Sequence, residues 1–309
     1  VMLANFAGVL VNVPLNYILI FGKLGFPALG LRGAAVGTIL GNLVIFLILF
    51  TFYLRGKNRI DFETHKSFRF LKETFVKLVR FGVPAGLEMF LGVTAFNLFV
   101  QFMHSYGTDV AAAVTIAFNW DIVAFIPMIG MGHAATALVG QNIGAGDFAE
   151  AKKSTYTALK VSWVYSFSMV FLFVFGSRML VGAFASGFEG DTGSITSLAT
   201  AMIRLASLYT LADSAQLVFT GALRGAGDTR WVMRMSVALH WAFAVIAIVM
   251  IRVVQVPPIV GWLLLILFVI GLGITMFLRF RGEKWRDIEL IRREKGKPAE
   301  KPAKPAAGQ

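Results

Sequence analysis

Cysteine is absent from the 309 residues, and histidine occurs only four times. The absence of cysteine excludes a disulfide framework, a thiolate metal site and a thiol nucleophile. The four histidines are scattered and form no ligand-spaced pair. The sequence also lacks a phosphate-binding glycine loop and a nucleophile elbow. A membrane-embedded enzyme needs a clustered nucleophile, metal or base, so these absences argue against enzymatic activity.

Charge is also scarce, because only 15% of residues are charged whereas 57% are hydrophobic. The mean hydropathy is +0.72. A soluble domain is typically about half apolar and about a quarter charged. The apolar runs here are about 20 residues long, which is the length of a transmembrane helix. The sequence therefore predicts an all-α, polytopic transmembrane helix bundle without bound cofactors.

The apolar runs predict eight membrane spans. The fourth is long for one crossing and contains Pro127, which favours a tilted or kinked helix. Val1 is followed directly by an apolar run, from which we expect a chain that belongs to a longer protein. The predicted spans cover residues 1–21, 33–54, 79–103, 110–140, 156–176, 196–222, 232–254 and 258–280.

Basic residues are concentrated in alternate links, which indicates the topology. Eight lie between Arg55 and Arg80, and ten follow from Arg279 onward. Positively charged links stay in the cytoplasm, so the net charge of +12 reports orientation rather than nucleic-acid binding, and the C-terminus is predicted to be cytoplasmic. The predicted divisions are two spans in 1–55, a basic linker in 56–78, six spans in 79–281 and a disordered basic tail in 282–309.

Three acids lie inside predicted spans: Glu88, Asp121 and Asp213. Such acids are costly in a bilayer and often mark ion or substrate pathways. The spacing of Tyr209, Asp213 and Gln216 places these side chains on one helical face. That face could supply oxygen ligands to a cation, or it could form polar contacts that only hold helices together.

Several small features carry structural predictions. Gly30, Gly33, Ala34 and Gly37 favour close helix approach. Each of two glycine-containing turns ends in an aspartate that can cap the next helix, at Asp147 and Asp228. Arg204 is predicted to reach the outer interface rather than to pair with Asp213.

Three motifs in order carry a family resemblance: NVPLNYILIFGKLGFPALGLRGAAVGT at the start, LVGQNIGAGD after the fourth span and GALRGAGDTR after the sixth. Together they resemble the multidrug and toxic compound extrusion (MATE) family over nearly all of residues 1–281. The resemblance implies twelve helices in two lobes of six. This chain would then hold helices five to twelve, which are two helices of the N-lobe and the complete C-lobe.

The resemblance also implies a C-lobe cation site, because Asp213 and Tyr209 match an Asp and a Tyr of the sodium-coupled branch. That branch has a Glu where this chain has Gly92. The acid Glu88 lies one turn earlier, so Na⁺ is expected at Asp213 and Glu88, with Asp121 as a third member. Whether Glu88 or Asp121 partners Asp213 stays open.

Another branch implies a proton site in the N-lobe, at positions matching Asn12, Asn16 and Thr38. Its Asp is missing here, which weakens that site. The resemblance implies a cation-coupled antiporter, driven by Na⁺ or H⁺, that exports lipophilic and often cationic drugs or toxic metabolites by alternating access. A flippase for lipid-linked precursors or polysaccharides is the alternative. We expect a monomer in a bacterial or archaeal cytoplasmic membrane, with small molecules and lipid as partners and no nucleic acid.

Overall fold

The computed structural model describes residues 1–56, 70–185 and 193–288. All regular elements in these residues are helical. Eight helices are long and apolar enough to cross a membrane, which confirms the predicted count and fold class. The chain divides into two compact units, residues 1–76 and 77–309, and the division lies close to the end of the predicted linker.

The first unit is built on two helices, α1 (Met2–Phe21) and α2 (Leu31–Leu54). Glycines on α2 allow the two backbones to approach closely. A Cβ at Gly33 would lie 2.5 Å from the carbonyl oxygen of Leu19, and a Cβ at Gly37 would overlap the side chain of Asn16. The predicted close approach at these glycines is therefore confirmed.

The second unit contains six long helices and one short one. The fourth predicted span is one continuous helix that contains Pro127. The helix that follows the sixth span ends in a π-helical stretch, Val249–Val253. In chain order the helices are α3 (Lys72–His104), α4 (Thr108–Gly144), α5 (Phe148–Phe175), α6 (Ser177–Ala185), α7 (Gly193–Gly225), α8 (Thr229–Ile248) and α9 (Pro258–Arg281).

Helix α7 occupies the interior of this unit, where it packs against α4, α5 and α9. Glycines set its contact with α4, because a Cβ at Gly221 would overlap the carbonyl oxygen of Gly132. On its α9 side, a Cβ at Gly273 would lie 2.8 Å from the carbonyl oxygen of Ala212. Small residues thus bring three helices into backbone contact, as packing in a membrane requires.

Several helices begin before the spans that the sequence predicts. Helix α3 begins at Lys72, within the predicted linker, and α5 begins at Phe148, eight residues before its predicted span. Asp147 explains the second difference, because its carboxylate accepts a hydrogen bond from the backbone N–H of Glu150 at 2.8 Å and caps the helix. The predicted cap at Asp147 is confirmed.

The predicted cap at Asp228 is wrong. Its side chain makes no cap hydrogen bond, and its carboxylate instead accepts from Arg279 Nε at 2.8 Å. Because Arg279 lies at the end of α9, this ion pair joins that end to the start of α8. The guanidinium also stacks over Trp231, 4.9 Å from the ring centroid.

The predicted disordered tail starts too early. A short 3₁₀ helix, Lys284–Asp287, follows α9, and Trp285 within it is only 1% exposed. The Trp285 ring stacks on Phe280 at 5.2 Å, and its indole N–H donates to the Phe280 carbonyl at 2.8 Å. The rest of the predicted tail, residues 289–309, and most of the linker, residues 57–69, lie outside the described residues.

Candidate cation site

Two of the three intramembrane acids meet in the interior of the second unit. Tyr209 on α7 is 3% exposed, and its hydroxyl donates to Asp121 Oδ1 on α4 at 2.7 Å. Asp213 lies one turn further along α7, on the helical face that carries Tyr209. Both acids are half-buried. The α4–α7 contact thus joins Asp121, Tyr209 and Asp213, which we call the acid cluster.

Gln216 lies on the same face of α7. Within the described residues, its hydrogen bond goes to Thr220 and not to either carboxylate. Its amide donates to the Thr220 hydroxyl at 3.1 Å, one turn further along the helix. It is 9% exposed and therefore buried among its neighbours. Its predicted role as a ligand remains a prediction.

No basic side chain compensates the acid cluster within the described residues, where the ion pairs all involve other acids. Arg204, on the same helix as Asp213, donates from Nε to the Ser177 hydroxyl at 2.9 Å instead. Neither carboxylate of the cluster therefore has an ion-pair partner in the part of the chain that the structure describes. Like charges in a poorly hydrated interior repel strongly, so this arrangement favours binding of a cation or a proton.

Glu88 has a different partner. It is 6% exposed, and its Oε2 accepts from Arg224 Nη2 at 2.8 Å. Arg224 lies in the last turn of α7, eleven residues or about 16 Å beyond Asp213 at 1.5 Å per residue. The structure thus brings Asp121, rather than Glu88, to Asp213, and it neutralises Glu88 with an internal cation.

The matching position for the family Glu, Gly92, faces His240 on α8. A Cβ at Gly92 would lie 3.5 Å from His240 Nε2. The other ring nitrogen, Nδ1, lies 2.7 Å from the Ser236 carbonyl oxygen. At this position α3 therefore supplies no carboxylate and packs beside the imidazole ring of His240.

The positions that match the N-lobe proton site are only partly assembled in the first unit. The Asn16 amide donates to Asn12 Oδ1 at 3.2 Å. Thr38 is exposed and donates to the Ala34 carbonyl of its own helix at 2.9 Å. The two asparagines therefore contact each other, and Thr38 does not join them.

Oxygen ligands dominate the acid cluster, since Asp121 and Asp213 supply carboxylates and Tyr209 a hydroxyl. This ligand set suits Na⁺ or a proton better than a soft metal. Among the residues that the structure describes, no group of three or more His, Asp or Glu side chains is placed to hold a metal ion. The cluster therefore offers oxygen atoms, which are the ligands that small hard cations prefer.

The sequence did not indicate the role of Arg224, which it placed in a cytoplasmic link. Its partner Glu88 is 136 positions away, so no local spacing joins them. The available signal was charge balance, because an acid inside a span requires a partner, and the GALRG turn places an arginine at the end of another span.

These features define a polytopic membrane protein with acidic side chains inside its helix bundle. The MatE family model matches residues 84–250, more than half of the chain. The chain therefore belongs to the MATE family.

Curated relatives agree with this assignment. The chain is 28% identical over 298 residues to the "Probable multidrug resistance protein NorM" of Mannheimia succiniciproducens, covering 94% of this chain and 63% of the relative. It is 29% identical over 287 residues to the "Multidrug resistance protein MdtK" of Yersinia pseudotuberculosis, covering 91% and 62%. The chain thus spans less than two thirds of the length of these relatives.

Solved structures share the fold. A structure described as "Crystal structure of MATE in the straight conformation" matches with a TM-score of 0.78 at 18% identity, over 93% of this chain and 63% of that one. A MOP superfamily transporter from Pyrococcus furiosus, described as having reverse polarity of its binding pocket, matches with a TM-score of 0.76 at 19% identity, over the same shares. These similarities support the helical architecture.

Proposed function

We propose that the complete protein is a cation-coupled antiporter that exports lipophilic, often cationic compounds by alternating access. The acid cluster carries this proposal, because it places two carboxylates, with no counter-ion among the described residues, inside a helix bundle of the MATE family. The names of the curated multidrug resistance relatives support the substrate class.

The physical basis of exchange is competition for the same negative charge. Two nearby carboxylates in a poorly hydrated interior are stabilised when a Na⁺ ion, a proton or a cationic substrate neutralises them. The Tyr209 hydroxyl holds Asp121 in place and supplies an additional oxygen. Because either cation relieves the same repulsion, entry of the coupling ion favours release of the exported cation.

The cellular setting follows from the same proposal. The basic links and tail favour a cytoplasmic C-terminus in a bacterial or archaeal inner membrane. We propose Na⁺ or H⁺ as the coupling ion and a monomer as the functional state. A flippase for anionic lipid-linked precursors would need a cationic cavity, and the acidic character of the cluster disfavours it.

The direct test is drug resistance conferred by the complete protein in cells that lack other efflux pumps. Asp213→Asn and Asp121→Asn each remove one carboxylate of the cluster, and we expect both to abolish resistance while membrane insertion persists. Asp147→Asn is the matched control, because it makes the same chemical change at a helix cap, where asparagine also functions. Full resistance from Asp213→Asn would contradict the proposal.

A further inference from the structure

The packing face of α3 contains one charged residue. Its buried positions form a single stripe at helical spacing: Pro84, Glu88, Gly92, Ala95, Phe99 and Met103. The second half of this stripe packs through apolar contacts, such as the Phe99–Phe243 rings at 5.0 Å. Glu88 is therefore directed into the bundle and not toward lipid.

Before Glu88, α3 has little apolar attachment to the second unit. Leu78 is 67% exposed, Val83 49% and Leu87 46%, so these side chains are not packed into its core. Pro84 also removes one hydrogen bond of the helix, which makes this turn a natural hinge. Glu88 is the first side chain after Pro84 that forms a strong contact with another helix.

The partner of Glu88 is held rigidly. Arg224 lies in the last turn of α7, where the adjacent Gly225 contacts the α4 backbone so closely that a Cβ would overlap the Thr136 carbonyl oxygen. The Arg224 side chain is 32% exposed, and its Nη2 donates to Glu88 Oε2 at 2.8 Å. Helix α8 also lies beside this part of α3, because a Cβ at Gly92, one turn after Glu88, would lie 3.5 Å from His240 Nε2.

We propose that the Glu88–Arg224 ion pair is a latch that fixes the hinge-proximal part of α3 to α7, and that both are positioning residues. Helix α7 carries Asp213 in its middle and Arg224 at its end. The latch therefore makes the position of the cation-binding helix dependent on the α3 turn that follows Pro84. This inference rests on the proposed transport function.

The latch gives Glu88 a role different from cation binding. A guanidinium at 2.8 Å already supplies the positive charge that a coupling ion would bring. A buried ion pair tolerates replacement by a neutral pair far better than loss of one partner, because a single substitution leaves an uncompensated buried charge. This asymmetry allows a positioning residue to be distinguished from a cation ligand.

The experiment compares Glu88→Gln, Arg224→Gln and the double variant in the complete protein. Each single variant should lower the melting temperature by on the order of 5 °C and reduce the maximal efflux rate. The double variant should recover most of the melting temperature and most of the maximal efflux rate. The cation concentration for half-maximal efflux should be the same in all three variants and in the wild type. Arg230→Gln is the matched control, because Arg230 is exposed near the same helix end and makes no ion pair within the described residues.

Two outcomes would overturn the latch. One is a double variant that remains as inactive as Glu88→Gln and needs a higher cation concentration, which would make Glu88 a ligand. The other is single variants that match the wild type in melting temperature and rate. Failure of the proposed transport function is detected separately, by full activity of Asp213→Asn. The melting temperatures of the latch variants do not depend on that result, so they test the latch by themselves.

Discussion

At the scale of single residues, Tyr209 is the residue that organises the acid cluster. Its hydroxyl proton is donated to Asp121, so its oxygen lone pairs remain available for a cation near Asp213. The Tyr209 hydroxyl thus joins α7 to the Asp121 carboxylate on α4. Sequence spacing placed Tyr209 and Asp213 on one face, but only the fold shows that Asp121 completes the group.

Tyr209→Phe should weaken cation coupling without unfolding the protein. Hydrogen bonds to charged groups contribute about 1.5–3 kcal/mol, so losing this bond should raise the cation concentration for half-maximal efflux by roughly ten- to a hundredfold. The measurement is efflux as a function of Na⁺ or H⁺ concentration. Tyr156→Phe is the control, since its ring packs near Phe219 and Phe280 away from the acid cluster. If Tyr209→Phe shows the same dependence of efflux on cation concentration as the wild type, then Tyr209 takes no part in cation coupling.

Sequence reasoning located the three acids but could not pair them. Asp121 and Tyr209 are 88 positions apart and Glu88 and Arg224 are 136 apart, so each contact depends on how the helices pack. The family pattern left both Glu88 and Asp121 open as the partner of Asp213. The structure shows Arg224 at Glu88, because the arginine at the end of α7 reaches the buried face of α3.

At the scale of elements, the α4–α7 contact decides whether the acid cluster forms. Gly221 and Gly132 place the two backbones in contact two turns below Asp213. Periodicity and hydropathy predicted both helices. They could not indicate which glycines meet, since apolar helices in a membrane offer several small-residue faces.

Gly221→Ala should separate α4 from α7 and disturb the cluster, because the added methyl group would overlap a backbone carbonyl that cannot rotate away. Overpacking of this kind costs about 1–3 kcal/mol. Denaturant unfolding in detergent measures the loss, and efflux should fall with it. Gly271→Ala on α9 has no atom within 4 Å of the new Cβ, so we expect no loss of stability there. Equal stability of both variants would show that the contact is not tight.

The end of α9 is held by charges that titrate outside the membrane spans. Glu283 accepts from Lys152 at 2.7 Å, and this contact, with Arg286, lowers the pKa of the Glu283 carboxyl below its ordinary value of 4.5. A lowered folded-state pKa stabilises the fold above about pH 4.5, and this stabilisation disappears as the pH falls through the folded-state pKa.

Glu283→Gln should remove this pH-dependent stability. Wild type and variant should differ in unfolding midpoint at neutral pH and converge as the pH falls below 4.5. Because the group is solvent-accessible, the difference should be small and should shrink at high salt. Parallel unfolding curves that keep a constant offset at every pH would contradict the assignment.

At the scale of the whole molecule, composition predicted a membrane protein, and the length and number of its apolar runs predicted a bundle of eight spanning helices. Helix ends were misplaced where polar residues extend a helix beyond the apolar run, as at Lys72 and Phe148. The short helix α6 was missed because nine residues cannot span a membrane. Trp285 shows why the tail was misjudged: its burial depends on α9 and α5 and not on local composition.

In the transport function that we propose, the Asp121–Asp213 pair couples cation entry to export. The most direct measurement is efflux of a lipophilic cation from proteoliposomes of the complete protein, with Na⁺ and H⁺ gradients imposed one at a time. We predict that one gradient drives efflux in the wild type, and that Asp121→Asn and Asp213→Asn each abolish this gradient-driven component. Gradient-driven efflux at the wild-type rate in Asp213→Asn would contradict the account.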